Sequence, residues 1–204
     1  MVEMPHLETM EGINFQTDCS GIIQGIGTQN WNAFALQNGA PELTADAVIG
    51  RNFFDFVEGD EVQDQFRLIM ERTSEDPNWA WVLPFRCDAP DRERHIRQVL
   101  KPVFEGEHCI GFLFQSVEQN AQQRPPMGLY DFKKLSKLAK EDRDLPLVTM
   151  CSWCQRVKMF RDDIETWMSA EDYYAAGGRS AVRISHAICD ACLEATAAPA
   201  LLPG

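Results

Sequence analysis

The chain has 204 residues, 45% of them hydrophobic, which leaves room for one large or two small domains and is too apolar for a disordered segment. Its formal net charge of −12 sits in residues 1–120, where twenty acidic side chains face eight basic ones, so the front of the chain would repel a phosphate backbone. No run reaches the roughly 18–20 apolar residues of a membrane span. Met1–Glu11 lacks the basic-then-apolar order of a signal peptide. Seven cysteines without such a leader predict a reducing cytoplasm, not a secreted disulfide framework.

In chain order, residues 1–12 read as a mobile or helical lead-in. Phe15-Gln16-Thr17 opens a strand, Asp18-Cys19-Ser20-Gly21 carries turn chemistry, and Ile22–Ile26 forms the second arm of a hairpin. Thr28 predicts the cap of a helix through Trp31, Phe34 and Leu36 that stops at Asn38-Gly39. A short helix is expected over Leu43–Asp46, and Val48-Ile49-Gly50 leads into Phe53, Phe54 and Phe56. Asp60 is the expected cap of a longer helix with Val62, Phe66, Ile69 and Met70 on one stripe. Trp79, Trp81, Leu83 and Phe85 alternate as in a half-buried strand. His95–Val103 and Cys109–Val117 flank Glu105-Gly106-Glu107 as a hairpin, with Ile110, Phe112 and Phe114 on one face. Cys19 and Cys109 are expected in or near the core.

The Gln/Pro-rich stretch 119–128 reads as a linker. Leu129, Phe132, Leu135 and Leu138 then recur every three residues. They predict an amphipathic helix that either packs on its own domain or pairs with a second chain. Pro146 ends it, and the tail from Ala195 to Gly204 is expected to fray.

The strongest chemical signal is a pair of turns, Cys151-Ser152-Trp153-Cys154 and Cys189-Asp190-Ala191-Cys192, with His186 three residues before the second. Each turn holds two thiolates about one tetrahedral edge apart, so two turns together supply four sulfur ligands. The 34 residues between the pairs exceed the roughly 15–20 of a ribbon. That predicts a structural zinc site held by Cys151, Cys154, Cys189 and Cys192, with an inner loop that has secondary structure of its own. Two redox-active dithiols, or reduced cysteines that only pack, are the alternatives. Covalent haem is disfavoured, because Gln155 and Leu193 stand where its histidine belongs. His186 reads either as an alternative ligand or as a residue outside the coordination sphere that orients a thiolate, near the start of a helix capped by Ser185. Trp153 and Trp167 read as packing.

The element order, with Asp18-x-Ser20-Gly21-x-Ile23, Asn30–Phe34 and Val48–Phe54, resembles the PAS sensor fold over residues 12–118. The back end is similar to a cysteine module of bacterial PAS-containing signalling proteins. The residues that carry this are Cys151–Cys154, Trp167, Glu171-Asp172-Tyr173 and Ser185-His186-Ala187-Ile188-Cys189-Asp190-Ala191-Cys192. The resemblance implies an α+β fold: a PAS-like antiparallel sheet with flanking helices, a linker and helix over 119–146, and a zinc-binding module over 147–195. It also implies a homodimer and a PAS cavity that senses a small ligand or a partner; with no kinase, cyclase or DNA-binding motif read in the sequence, a protein partner is expected to carry the output.

Departures from the pattern narrow the chemistry. Gly50-Arg51-Asn52-Phe53 is close to the Gly-Arg-Asn-Cys stretch of blue-light flavin domains, but Phe53 has no thiol to form the adduct. Residues 54–85 hold no histidine to ligate haem, although His95 or Cys87 could coordinate iron instead. The loop Arg86–Pro90 with Arg92 and Arg94 reads either as an anion site or as a solvated turn, the latter being favoured. Four scattered histidines assemble no catalytic set, and Gly25-x-Gly27 lacks the third glycine of a phosphate loop. The expectation is a cytoplasmic sensor or adaptor that is not an enzyme and binds neither nucleic acid nor membrane. A thiol/zinc redox sensor and a haem-binding PAS sensor are the rival readings.

Overall fold

The computed structural model describes residues 6–161, 164–196 and 200–201. Part of the expected lead-in (1–5) and most of the expected frayed tail (197–199 and 202–204) lie outside them. The chain divides into two compact units, one of residues 1–83, 97–118 and 196–204, the other of 84–96 and 119–195.

The first unit is built around strands β1 (Ile13–Asp18) and β2 (Ile23–Ile26) and the greater part of β3 (Trp79–Arg86), β4 (Arg92–Glu105) and β5 (His108–Gln123). The sheet order is β3-β4-β5-β1-β2, with the two-residue strand Ala200–Leu201 outside β3. Helices α1 (Thr28–Gln37), α2 (Ala45–Val48) and α3 (Asp60–Thr73) fall between β2 and β3. This mixed α+β arrangement with an antiparallel sheet is the one expected from the sequence.

Local chemistry explains the elements. The Asp18 carboxylate accepts from Ser20 N, Ser20 Oγ and Ile22 N at 2.7–2.9 Å, closing the β1–β2 turn. Gly21 in that turn has φ 90, a conformation that favours glycine. α1 is not capped by Thr28: the backbone amides of Thr28 and Gln29 donate instead to the Glu8 carboxylate, at 2.7 and 3.3 Å. α3 likewise begins one residue early, with Gly59 at the cap and Asp60 inside the first turn.

The core of this unit is aromatic. The β1–β5 register sets Phe15 opposite Phe114, and their rings stack at 4.5 Å. Phe53, half-buried, packs against Phe114 and Phe66 at 5.0 and 5.2 Å. The expected stripe of α3 is buried at Val62, Phe66, Ile69 and Met70. Cys19, by contrast, is exposed and Cys109 half-buried, because residue 19 has already left the strand for the turn.

The second unit has a four-stranded sheet of order β8-β7-β6-β9. Its strands are β6 (Leu147–Cys151), β7 (Val157–Arg161), β8 (Ile164–Met168) and β9 (Arg183–Ala187). Helices α4 (Phe132–Glu141), α5 (Ala170–Ala175) and α6 (Asp190–Ala195) complete it. Asp131 caps α4 by accepting from Lys134 N at 3.0 Å, and Ser169 caps α5 through Asp172 N at 3.0 Å.

Three features depart from the division 12–118, 119–146 and 147–195. β5 runs on to Gln123, so half of the expected linker is strand. The helix expected between domains belongs to the second unit, where Leu129 and Leu135 are buried with Val148, Met150, Val157 and Tyr173. Its leucines are therefore used within the chain, the first of the two options the sequence leaves open. Residues 84–96 also join this unit.

Candidate metal centre

Four thiols from two distant segments converge because β6 and β9 pair in parallel. The register places Cys151 beside Ala187, two residues before Cys189. Ser152 N donates to Ala187 O at 2.9 Å and locks the first turn to the second segment. The chain reverses after Cys151 with Gln155 N donating to Cys151 O and Cys151 N to Arg156 O, at 2.9 and 2.8 Å. Gln155 takes φ 58 to make that reversal. On the other side, Cys192 N and Leu193 N donate to Cys189 O at 2.9 and 3.0 Å as α6 begins.

The sulfurs of Cys151, Cys154, Cys189 and Cys192 all lie within 4.8 Å of one another. Cys154 Sγ and Cys189 Sγ are 3.6 Å apart. A tetrahedral ion with metal–sulfur bonds of about 2.3 Å has sulfur–sulfur edges of about 3.8 Å, so the cage is of the right size. Cys151 and Cys189 are buried, and Cys154 and Cys192 half-buried. Four soft donors in this arrangement could hold zinc or iron.

The electrostatics of the thiols point the same way. A hydrogen bond from the Cys154 thiol, then backbone amides of Cys154, Cys189 and Trp153, outweigh burial and hold Cys151 down to about 4. Cys154, as the donor of that bond, is driven up, and burial beside the Cys151 charge pushes Cys192 up to about 12. Without a cation, backbone amides and shared thiol protons favour a single thiolate in the cage. A divalent ion would supply the charge that lets the raised thiols ionise.

His186 lies on β9, opposite Met150, and not at the start of a helix. The helix begins only at Asp190, because Ser185 is spent on a cross-strand bond to Thr149 Oγ1 at 2.9 Å. His186 Nδ1 is 3.4 Å from Ser152 Oγ, inside the first cysteine turn. Among the described residues, the group of close ligand atoms consists of the four cysteines. Trp153 is buried and Trp167 half-buried, under the Lys158 ammonium at 5.6 Å.

A charged network that the sequence reading passed over braces the first turn. The loop favoured as a solvated turn is instead anchored: Arg86 N donates to Trp153 O at 2.6 Å and Asp88 N to Gln155 Oε1 at 3.3 Å. The Asp88 side chain is fully buried, pairs with Arg86, and lies 2.9 Å from Arg124 Nη1. Arg94 N donates to Asp88 Oδ1 at 3.0 Å, and the Arg124 guanidinium stacks 4.1 Å over the Tyr130 ring. Nothing local in the sequence marks this burial, because Asp91 and Glu93 stand beside Asp88 in the loop and the enclosing Arg124 and Gln155 lie 36 and 67 residues further along the chain.

The first unit has a half-open cavity of about 380 Å³ whose lining includes Cys19, Phe54, Arg67, Cys109 and Phe112. Neither His95 nor Cys87 lines it, and His95 is half exposed and paired with Glu93 at 2.7 Å, so neither is placed to ligate haem there. With a phenyl ring at position 53, illumination of the flavin-soaked protein at blue wavelengths should leave the flavin spectrum without reversible adduct bleaching. Bleaching that recovers in the dark would contradict this.

No family model matches the chain, and no curated protein matches it in sequence. Among solved structures, it is similar to the PAS domain of BvgS from Bordetella pertussis, at 15% identity and a TM-score of 0.42 over 68% of this chain and 93% of that one. It is also similar to the VqmA dimer of Vibrio cholerae, at 14% identity and a TM-score of 0.39, over 55% of this chain and about half (48%) of that one. A domain of an HTR-like protein from Haloarcula marismortui matches 53% of the chain at 17% identity and a TM-score of 0.34.

Proposed function

We propose that this chain is a signal-sensing or adaptor protein in which a PAS-like unit binds a small ligand or partner and a zinc-stabilised unit relays or docks. The observation that carries the reading is the four-thiol cage, built from buried and half-buried cysteines at tetrahedral spacing and closed by a parallel strand pair. Zinc suits a closed tetrahedral site of four thiolates. Its role is structural: the cage fills all four tetrahedral positions and leaves none for substrate. The chain is not an enzyme in this reading. Output passes to another protein, and the working form is a cytoplasmic homodimer of bacterial type that binds no nucleic acid. No described helix is long and apolar enough to cross a membrane.

The half-buried Cys154 and Cys192 favour one rival, a thiol/zinc redox sensor, since peroxide could reach those two sulfurs. Native mass spectrometry of freshly purified protein separates the readings. One zinc per chain, retained after mild peroxide, supports the structural site. Zinc lost stoichiometrically with disulfide formation supports the redox reading, and absence of metal removes both. The same spectrum reports any ligand and the number of chains.

His186 acts through Ser152 in this account and holds no metal itself. His186→Ala should retain zinc and weaken its hold by about 10–100-fold, the usual cost of losing an outer partner. Chelator competition on both proteins at one pH measures this, and a loss far beyond that range would place His186 among the ligands.

A further inference from the structure

The PAS-like unit has two thiols that the metal cage does not use. Antiparallel pairing sets Asp18 of β1 opposite Gly111 of β5, which brings Cys19 and Cys109 together across 90 residues of chain. Cys19 Sγ donates to Cys109 O at 3.2 Å, and Cys109 Sγ donates to Gly111 O at 3.5 Å. Gly111 permits this closeness: a Cβ there would sit 2.0 Å from Thr17 O and force the strands apart. Both thiols line the 380 Å³ cavity beside Arg67 and Phe112, and Cys19 is exposed to reagents.

We propose that Cys19 and Cys109 form a peroxide-reactive dithiol at this cavity, a modification site separate from the metal centre. The Cys19 thiolate attacks one peroxide oxygen, the O–O bond breaks, and Cys19 becomes a sulfenic acid as the first water leaves. The Cys109 sulfur then attacks the Cys19 sulfur, displacing the hydroxyl as a second water and forming the S–S bond. Two thiols are oxidised and one hydrogen peroxide is reduced to two waters. Partial desolvation of its sulfur, then the charge and hydrogen bond of Cys109 and the charge of Asp18, hold the Cys19 thiol above its ordinary range although the residue is exposed, so the reaction is slow at neutral pH. The product ties the turn after β1 to β5 along the cavity wall.

The test treats full-length, zinc-loaded protein with hydrogen peroxide, blocks free thiols, and maps peptides without reduction. The expected result is a peptide pair joining Cys19 to Cys109 within one chain, released by dithiothreitol, at unchanged zinc content. A Cys19 sulfinic acid beside a free Cys109, a Cys19–Cys19 link between chains, or no oxidation of either residue would each overturn the proposal. Cys109→Ser should abolish the cross-link. If that variant fails to fold, Cys19→Ser, at an exposed position, should leave Cys109 open to maleimide after peroxide. Loss of Cys109 labelling in Cys19→Ser would contradict the pairing.

Discussion

Cys154→Ala is expected to strip the metal and unfold the second unit. A structural zinc contributes roughly 10–16 kcal/mol of apparent binding free energy to a small fold. That matches or exceeds the entire stability of about 5–15 kcal/mol typical of a domain. The core behind the cage is small, with Leu129, Leu135, Val148, Met150, Val157 and Tyr173 at its centre, so it has little apolar area to make up the loss. Hydrogen exchange read by peptide should show protection vanish over 129–195 while β1 and β5 near Phe15 and Phe114 stay protected. Retained zinc, or equal loss of protection in both units, would contradict the account. Acid should act like the mutation. Zinc binding requires protons to leave Cys154 and Cys192, both raised in the metal-free cage, so the hold on zinc weakens as pH falls.

Asp88→Asn is the second large effect. Asp88 is wholly buried between Arg86 and Arg124, and its backbone amide also meets Gln155 of the first cysteine turn. Removing one partner of a buried pair leaves guanidinium charge uncompensated and costs about 3–5 kcal/mol. Asp55→Asn breaks an exposed 3.9 Å pair with Arg51 and should cost no more than about 1 kcal/mol. Urea unfolding of the zinc-loaded proteins, followed by exchange in peptides from 147–195, compares the two. Equal small shifts would mean that the Asp88 network does not brace the unit.

Much of this was legible in the sequence because local signals and final structure agree. The alternation of Trp79, Trp81 and Leu83, the stripe of α3 and the two Cys-x-x-Cys turns each encode their own geometry at short range. What escaped depends on long-range partners. Glu8 replaced the expected Thr28 cap from 20 residues away. Ser185 looked like a cap, but strand pairing with Thr149 claimed it and carried His186 into β9. The arginine-rich loop read as solvated because burial of its charges rests on Arg124 and Gln155, which lie far along the chain. Likewise, the Gln/Pro stretch read as a linker by composition, while the neighbouring strand fixed it as β5 up to Gln123.

Zinc-edge X-ray absorption on the purified protein tests the central claim most directly. Cys151, Cys154, Cys189 and Cys192 should appear as a single shell of four sulfurs at about 2.3 Å, with no nitrogen scatterer at about 2.0 Å. Absence of zinc, or a mixed sulfur–nitrogen shell with fewer than four sulfurs, would contradict the four-thiolate centre.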